Sequence, residues 1–511
     1  MYFLYDNAAV MAIAAICGTF AWLYGGTIPS ALLPTIPWLT VLLVEMALFF
    51  PQRHSGETTT RARARMAAAV MKDPLTWVSI GFLAILAIPF FNKALCPCCD
   101  YPAIHFDGMR QAPPYPFLPS CINKMEHLSV YMWFAPALLC AVACKHALLK
   151  RGKRTLLELL VWNGLALSLI GLLQRVTGAE GPLWLSAKGN TAYFFSTFGY
   201  PNMGGDYFTT LFAISYALWR WNYARYYGDA PDGDDPKDKA EHKKFWRKHL
   251  MLVPTGIFFF SAVMTLSRAS ILLVCTLAVL LFIHATISFL AGMSKTARVK
   301  TIAANIIAIA LIAAVGTMFF GGPSNEEGTI SDDVAKEVSS LDTMGILDRI
   351  TGRQQYHTRV AKEIWKKHFL FGCGGWGYKH LCIPEMTDEE FAKIQTVGGI
   401  NVHNDYVQFL AEHGTVGFSL LCLIFALLLF PTVRVWKTLI KQAAFSQSGS
   451  RPPKPVAVFA LPGGAFAILC GVVATMIHAL GDCPLRSPAV LSLFFVSLAA
   501  VDGFLPRINE H

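Results

Sequence analysis

Apolar runs alternate with polar segments along most of the chain, and many of these runs approach the length of a membrane-spanning helix. An α-helix needs roughly 20 apolar residues to cross the hydrocarbon core of a bilayer. The runs lie at residues 8–25, 31–50, 75–91, 128–149, 155–173, 203–219, 250–266, 269–291, 302–320, 415–433, 456–478 and 488–505. The pattern predicts an all-α polytopic integral membrane protein with about twelve transmembrane helices.

Some of the polar segments are too long to be simple connectors. Those predicted to lie outside the membrane, on the face opposite the cytoplasm, are residues 92–127, 174–202 and 321–414. The last is far longer than a connection between two helices requires. It contains helical spacing, with an apolar face of Tyr356, Val360 and Ile364 and a basic face of Arg359, Lys362 and Lys366. We therefore expect a small helical lid that rests on the membrane surface.

We expect three regions along the chain. Residues 1–320 form a transmembrane bundle of nine spans, with a Cys-rich outer loop at 92–127 and a charged cytoplasmic loop at 220–249. Residues 321–414 form a large outer loop between the ninth and tenth spans, and this loop is expected to carry the functional site. Residues 415–511 carry the last three spans.

Composition and charge agree with this organisation. Hydrophobic residues make up 54% of the 511 residues and the mean hydropathy is +0.45, which excludes a soluble domain of this size. Short loops rich in Lys and Arg mark the cytoplasmic side of a membrane protein. Such loops fall on one side when the spans alternate, at residues 52–73, 150–154, 220–249, 294–300 and 434–454. Both termini are therefore expected in the cytoplasm, and the net charge of +10 gives no reason to expect nucleic acid.

The first segment is expected to stay in the membrane. Met1 to Gly26 lacks a basic n-region and a cleavage site with small residues, so it reads as a retained span.

The cysteines outside the apolar runs suggest disulfide bonds. Of the 13 cysteines, the first outer loop holds Cys96, Cys98, Cys99 and Cys121, and the long loop holds Cys373 and Cys382. In an oxidising compartment these thiols are expected to pair, at least once within the first loop and also as Cys373 with Cys382. A zinc site at the CPCC sequence, completed by Cys121 or His105, is the alternative.

An ordered set of motifs resembles the superfamily of O-antigen ligases and O-antigen polymerases, which also includes bacterial protein O-oligosaccharyltransferases. The set comprises TLSRAS with Ser267 and Arg268, a loop pattern of Gly352, Arg353, Tyr356 and Ala361 that runs into GCGGWGY, and HNDYVQFLAEHGTVG starting at His403. FGYPNMGG at 198–205 and HALGDCPLRSPA at 478–489 are similar to the outer loop and penultimate hairpin of the family. The chain departs from the pattern at residues 369–371, where it has Phe-Leu-Phe and Pro-Leu is common, and in its Cys-rich first loop.

The resemblance implies a membrane glycosyltransferase of lipopolysaccharide and cell-envelope biosynthesis. Enzymes of this superfamily move a glycan from undecaprenyl pyrophosphate to an acceptor at the periplasmic face of the bacterial inner membrane. An O-antigen ligase-like activity with inversion at the anomeric carbon is the first expectation. O-antigen polymerase and protein O-oligosaccharyltransferase remain alternatives, because a lipid, a polysaccharide or a protein could be the acceptor. A secondary transporter with twelve spans is the alternative from another class, although the chain lacks two related halves.

The residue types fit chemistry on a lipid pyrophosphate. Arginine stays charged in a groove of low dielectric constant and can hold phosphate oxygens with two hydrogen bonds, so Arg268 and Arg353 are the expected pyrophosphate ligands. Arg359 competes with Arg353 for this role. A buried carboxylate such as Asp206 or Asp482 could instead make Arg268 structural.

A histidine is suited to take the proton of an attacking hydroxyl near neutral pH, so His403 is the expected general base. The structural alternative is that His403, or its neighbours Asn404 and Asp405, caps the start of a helix. Ser267, Asn404 and Glu412 are further site candidates, and Glu412 is expected either to stabilise a turn or to pair with an arginine. Because arginines would neutralise the pyrophosphate, neither a metal ion nor another cofactor is expected.

Overall fold

A computed structural model describes residues 7–28, 32–92, 113–185, 194–226, 249–290, 356–391, 401–445 and 461–506. Over these ranges the regular secondary structure is helical. An isolated antiparallel β-bridge joins Phe195 and Phe198. The predicted all-α class is confirmed for this part of the chain. The predicted span at 302–320 and the candidate Arg353 lie outside the described residues.

The helices are labelled here in chain order. They are α1 Ala8–Trp22, α2 Ile36–Phe49, α3 Thr59–Lys72, α4 Pro74–Ala87, α5 Lys124–Ala147, α6 Lys150–Val176, α7 Pro201–Tyr226, α8 Leu252–Met264, α9 Arg268–Leu290, α10 at 356–367, α11 Gly377–Leu381, α12 Asp405–Phe445, α13 Gly463–Gly481 and α14 Pro488–Ala500. Every predicted apolar run within the described ranges coincides with one of these helices.

Five helices in the described ranges are long and apolar enough to cross a membrane: α5, α6, α9, α12 and α13. A sixth span is added if α3 and α4, which meet at a bend of 64°, are counted as one broken span. Shorter apolar helices are α1, α2, α8 and the stretch Pro488–Phe504. The chain is therefore a helical membrane protein with several spans.

The bend between α3 and α4 follows from the sequence Asp73-Pro74. Proline lacks the N–H that would continue α3, and it disfavours helical backbone in the residue before it. Asp73 accordingly has φ −83° and ψ 120°, and its carboxylate accepts a hydrogen bond from the Leu75 N–H at 3.1 Å. One residue thus ends α3 and caps α4.

The chain folds into two compact units. The first comprises Met1–Leu156, Ile346–Leu429 and Thr475–Ala499. The second comprises Leu157–Gly345, Phe430–Ala474 and Ala500–His511.

In the first unit, α10 has the amphipathic character that its sequence predicts. Val360 and Ile364 are buried in a small apolar cluster with Tyr378, Leu381 and Val402. On the other side of α10 the basic residues are exposed, namely Arg359, Lys362 and Lys366. This arrangement confirms the predicted helical patterning in this part of the long polar segment.

The second unit is built around α7, which packs against α8 and α9. Phe208 of α7 stacks on Phe258 of α8 with ring centroids 6.3 Å apart. The Tyr216 hydroxyl donates to the Leu281 carbonyl of α9 at 3.0 Å. These contacts hold α8 and α9 against α7, and Arg268 is the first residue of α9.

Candidate active site

Helix α12 is interrupted at Gly414, and a glycine-rich segment binds at the interruption. Gly414 has φ 65° and ψ −175°, a combination essentially restricted to glycine. On the N-terminal side of the break, the Cys373 N–H donates to the Ala411 carbonyl at 3.1 Å. The Gly374 N–H donates to the Glu412 carbonyl at 2.8 Å. These two carbonyls would otherwise lose their partners in the broken helix.

The same segment satisfies the C-terminal side of the break. The Thr415 N–H donates to the Phe369 carbonyl at 2.9 Å, and the Val416 N–H donates to the Leu370 carbonyl at 3.0 Å. Residues 369–374 therefore provide the four backbone hydrogen-bond partners that the break removes from α12. The segment and α12 are joined by these four hydrogen bonds. We call residues 369–374 the splice segment.

Close backbone approach explains two of the glycines. A Cβ atom on Gly372 would lie 2.3 Å from the backbone of Glu412. A Cβ atom on Gly414 would lie 2.3 Å from the Leu370 carbonyl oxygen. Since real Cβ contacts are much longer, any other residue would push the splice segment away from α12.

The residues after the splice segment bind α5. The Gly375 N–H donates to Nδ1 of His127 at 2.8 Å, and Nε2 of His127 contacts the Leu86 carbonyl at 2.8 Å. These partners fix the neutral imidazole with its proton on Nε2. The Trp376 indole N–H donates to the Ser129 hydroxyl at 3.2 Å. The GCGGWGY motif is thus held between α12 and α5.

His403 lies immediately before α12 and faces a buried carboxylate. Its Nδ1 is 3.2 Å from Oδ1 of Asp482, which follows α13. The side chain of His403 is 26% exposed and that of Asp482 is 8% exposed, so the imidazole connects a buried anion with the surface. His403 has φ 54°, a left-handed conformation that is uncommon outside glycine and often found at functional sites.

Asn404 fixes the backbone next to His403. Its Oδ1 accepts from the Val407 N–H at 3.1 Å, which caps α12, and its Nδ2 donates to the Leu480 carbonyl at 3.0 Å. The predicted cap role of this residue is confirmed. Asn404 therefore joins the start of α12 to the end of α13, where Asp482 lies.

Asp482 is held as a carboxylate. It accepts the Cys483 N–H at 2.8 Å, and the Cys483 thiol lies 3.3 Å from the same oxygen. Burial acts to raise the pKa of Asp482, but the hydrogen bond and charge of His403 outweigh it and lower the pKa to about 2. Among the described residues, His403, Asp482 and Cys483 are the cluster whose side chains could hold a metal ion.

A buried arginine follows in the same hairpin. Nη2 of Arg486 lies 2.6 Å from Oε2 of Glu412, and its Nε lies 4.0 Å from Oδ1 of Asp405. The guanidinium carbon is 4.6 Å from the ring centroid of Trp376. Nη1 of Arg486 has no hydrogen-bond partner within the described part of the chain. The predicted pairing of Glu412 with an arginine is confirmed.

Arg486 and Glu412 border a cavity of about 170 Å³. Its wall is mainly aromatic and includes Trp133, Phe134, Phe409, Phe418, Phe494 and Phe495. Such an aromatic lining suits binding of a hydrocarbon group. The charged groups of the wall include Arg486 and Glu412.

Comparison with protein-family models matches residues 254–422 to the family described as O-antigen ligase. Over this region the chain is similar to O-antigen ligases. No curated protein matches the chain. The matched region contains Arg268, Arg353, His403 and Glu412, and it ends before the hairpin that carries Asp482. The family match supports a membrane glycosyltransferase of the O-antigen ligase and polymerase type.

The candidate arginines within the described residues lie in different surroundings. Arg268 is the first residue of α9 in the second unit and is half-buried. Ser267 caps that helix, since its hydroxyl accepts from the Ser270 N–H at 3.3 Å and contacts the Ser270 hydroxyl at 2.9 Å. The geometry thus gives Ser267 a structural role.

The Arg359 guanidinium forms hydrogen bonds with Glu385 and Glu390. Its Nε donates to Glu390 Oε1 at 2.9 Å, Nη2 contacts the same carboxylate, and Nη2 also donates to the Glu385 carbonyl at 3.0 Å. The pairing with Glu390 raises the pKa of Arg359. A phosphate would have to displace this carboxylate in order to bind Arg359.

The predicted disulfide between Cys373 and Cys382 is wrong, because both residues are in the thiol form, as is Cys121. Cys373 Sγ lies 3.4 Å from the Ala411 carbonyl, whereas Cys382 Sγ lies 3.5 Å from the Lys379 carbonyl. Helix α11 separates the two cysteines and directs each thiol to a different backbone group. Cys96, Cys98, Cys99 and His105 lie outside the described residues.

Sequence reasoning did not assign site roles to Asp482 and Arg486. It considered Asp482 only as a partner for Arg268, whereas the structure pairs Asp482 with His403. The available signal was the HALGDCPLRSPA motif, which places an acid and an arginine at the polar end of an apolar run. Buried charges of this kind normally have a partner, and the other motifs contain the complementary residues.

Proposed function

We propose that the protein transfers a glycan from undecaprenyl pyrophosphate to an acceptor hydroxyl at the outer face of the bacterial inner membrane, in the manner of an O-antigen ligase. The observation that carries the proposal is the contact between His403 and the buried Asp482 carboxylate. It adds the geometry of a general base to a chain with an O-antigen ligase match.

In this proposal the acceptor hydroxyl transfers its proton to Nε2 of His403, the nitrogen that does not face Asp482. The acceptor oxygen forms a bond to the anomeric carbon as the bond to the pyrophosphate oxygen breaks, which inverts the configuration. Asp482 orients the imidazole and stabilises its positive charge after proton transfer, as a buried carboxylate does for other catalytic histidines. The 26% exposure of the His403 side chain is compatible with access of an acceptor.

Arg268 and Arg353 are proposed to bind the pyrophosphate, which leaves with the electron pair of the broken bond. Two guanidinium groups can neutralise several phosphate oxygens through paired hydrogen bonds, so this mechanism requires no metal ion.

The polymerase and protein O-oligosaccharyltransferase activities use the same donor chemistry and differ in acceptor. A secondary transporter is the other alternative, and it would carry a solute without forming a glycosidic bond.

The test is transfer by the purified full chain, with a lipid pyrophosphate glycan donor and with lipid A–core, polysaccharide or protein as acceptor. We expect a glycosylated product in the presence of a metal chelator. His403→Ala should reduce the rate by about 10²–10⁴-fold, because this is the usual contribution of a general base. His54→Ala, at an exposed histidine, is the matched control and should be unaffected.

Substitutions of arginine separate the phosphate ligands. Arg268→Lys and Arg353→Lys should both reduce transfer strongly, because an ammonium group cannot reproduce the planar pair of donors. Arg359→Lys should retain most activity. Full activity of His403→Ala would refute the base, and loss of wild-type transfer on chelation would refute the metal-free mechanism.

The proposed outer location has its own test. Single cysteines at Asp388 and Arg151, which are both exposed, can be labelled in intact cells with a reagent that does not cross the inner membrane. We expect labelling at position 388 and none at 151. The reverse result would place the proposed site in the cytoplasm and exclude a periplasmic reaction.

A further inference from the structure

Three side chains of different chemistry meet beside α12. An imidazole nitrogen of His403, a carboxylate oxygen of Asp482 and Sγ of Cys483 all lie within 4.8 Å of one another. The nitrogen and sulfur are 3.2 and 3.3 Å from the same carboxylate oxygen. An imidazole, a carboxylate and a thiol are the donor types that bind zinc in proteins.

The spacing is close to that of a tetrahedral zinc site. Zinc bonds to nitrogen, oxygen and sulfur of about 2.0–2.3 Å imply distances between neighbouring ligand atoms of about 3.3–3.6 Å. The two distances to Asp482 Oδ1 are already near this range. The hard cations Mg²⁺ and Ca²⁺ prefer shells of oxygen ligands, so a set with sulfur and nitrogen selects against them.

The surroundings hold the donors in place and leave access to them. The Cys483 N–H fixes the Asp482 carboxylate at 2.8 Å, and Asn404 binds the Leu480 carbonyl, which holds the His403 backbone near that carboxylate. Asp482 and Cys483 are buried, while His403 is partly exposed, so a metal ion can reach the site from solvent at His403. Three protein ligands leave the fourth position of a tetrahedral ion for water.

We propose that His403, Asp482 and Cys483 form a Zn²⁺ site whose occupancy inhibits the protein. On binding, the Cys483 thiol releases its proton to solvent, and Zn²⁺ with one thiolate and one carboxylate is electrically neutral. Zinc on Nδ1 requires the neutral imidazole to carry its remaining proton on Nε2. That nitrogen can then no longer accept a proton from an acceptor hydroxyl. The binding site stands on its own geometry, whereas the inhibition rests on the proposed function.

Binding is tested with Co²⁺ as a spectroscopic probe in the purified full chain, with Cys96, Cys98 and Cys99 replaced by serine to remove the CPCC thiols. We expect intense visible bands of tetrahedral cobalt and a thiolate-to-cobalt charge-transfer band, both displaced by Zn²⁺. Cys483→Ala should abolish the charge-transfer band. Cys382→Ala, at another buried thiol of the same unit, is the control and should keep it. An absent band in the parent, a retained band in Cys483→Ala or a lost band in Cys382→Ala would each overturn the site.

Inhibition is measured separately, relative to the zinc-free rate of each variant. Zn²⁺ should inhibit glycan transfer reversibly, and Cys483→Ala should raise the half-inhibitory concentration by at least about tenfold, as expected for loss of a contact at a metal site. Equal zinc sensitivity of the two proteins would refute inhibition through this site. If the parent forms no glycosylated product at all, the proposed function fails, while the cobalt spectra still decide whether the site exists.

Discussion

Arg486 and Glu412 form an ion pair that is almost removed from solvent, with 2.6 Å between Nη2 and Oε2. Their side chains are 10% and 1% exposed, respectively. The pair joins the hairpin after α13 to the part of α12 that precedes the Gly414 break. Arg486 lies in the same hairpin as Asp482, so the pair helps to hold the Asp482 carboxylate beside His403.

Breaking this pair should destabilise the first unit strongly. Arg486→Met leaves the Glu412 carboxylate buried without its cation, and removal of one partner of a buried pair typically costs about 3–5 kcal/mol. We expect a lower midpoint of thermal unfolding in detergent. The double variant Arg486→Met/Glu412→Leu should recover much of the loss, because the Glu412 carboxylate is then no longer buried without its cation. Arg61→Met, at an exposed arginine of α3, is the control, and a midpoint for Arg486→Met as high as that of this control would contradict the prediction.

Asp482→Asn tests whether Asp482 supports catalysis by His403 or only stabilises the fold. The amide keeps the size of the side chain but removes the negative charge that stabilises a protonated imidazole. We expect kcat for glycan transfer to fall by about 10²-fold, near the lower end of the contribution of a general base, with little change in KM for the donor. Asp388→Asn at an exposed position is the matched control. An unchanged kcat would mean that the contact with Asp482 has no catalytic role.

Gly414→Ala should disturb the interface between the splice segment and α12. The backbone conformation at Gly414 costs other residues about 1–3 kcal/mol, and the added Cβ would also lie 2.3 Å from the Leu370 carbonyl oxygen. We expect a lower unfolding midpoint and faster hydrogen exchange at the N–H groups of Thr415 and Val416. Gly256→Ala in α8, where no atom lies within 4 Å of the new Cβ, is the control. Identical midpoints for the two variants would show that the break tolerates a side chain.

Cys373 and Cys382 should both be alkylated without prior reduction. Burial raises the pKa of the Cys382 thiol to about 11, so little reactive thiolate is present at neutral pH. We expect slow labelling of the folded protein and rapid labelling after unfolding, measured by mass spectrometry of the peptides. Recovery of a Cys373–Cys382 disulfide from unreduced protein would contradict the structure.

Local patterns predicted the parts of the fold that depend on neighbouring residues. The spacing of Val360 and Ile364 determines which face of α10 is buried. The role of Asn404 as a cap could also be predicted, because it depends on an N–H group three residues further along the chain.

The contacts that define the site join residues far apart in sequence. His403 and Asp482 are separated by 79 positions, and no local periodicity specifies that they meet. The pairing of Cys373 with Cys382 failed for a related reason. Sequence spacing does not specify whether two Cβ atoms approach in the geometry that a disulfide requires.

The splice segment also restricts motion at the start of the membrane-crossing part of α12. To lift residues 369–374 away, four backbone hydrogen bonds would have to break, and each group left unsatisfied in a lipid environment costs several kcal/mol. These residues must therefore move together with α12. In the proposed reaction, a lipid-linked donor would therefore have to enter and leave past other parts of the chain.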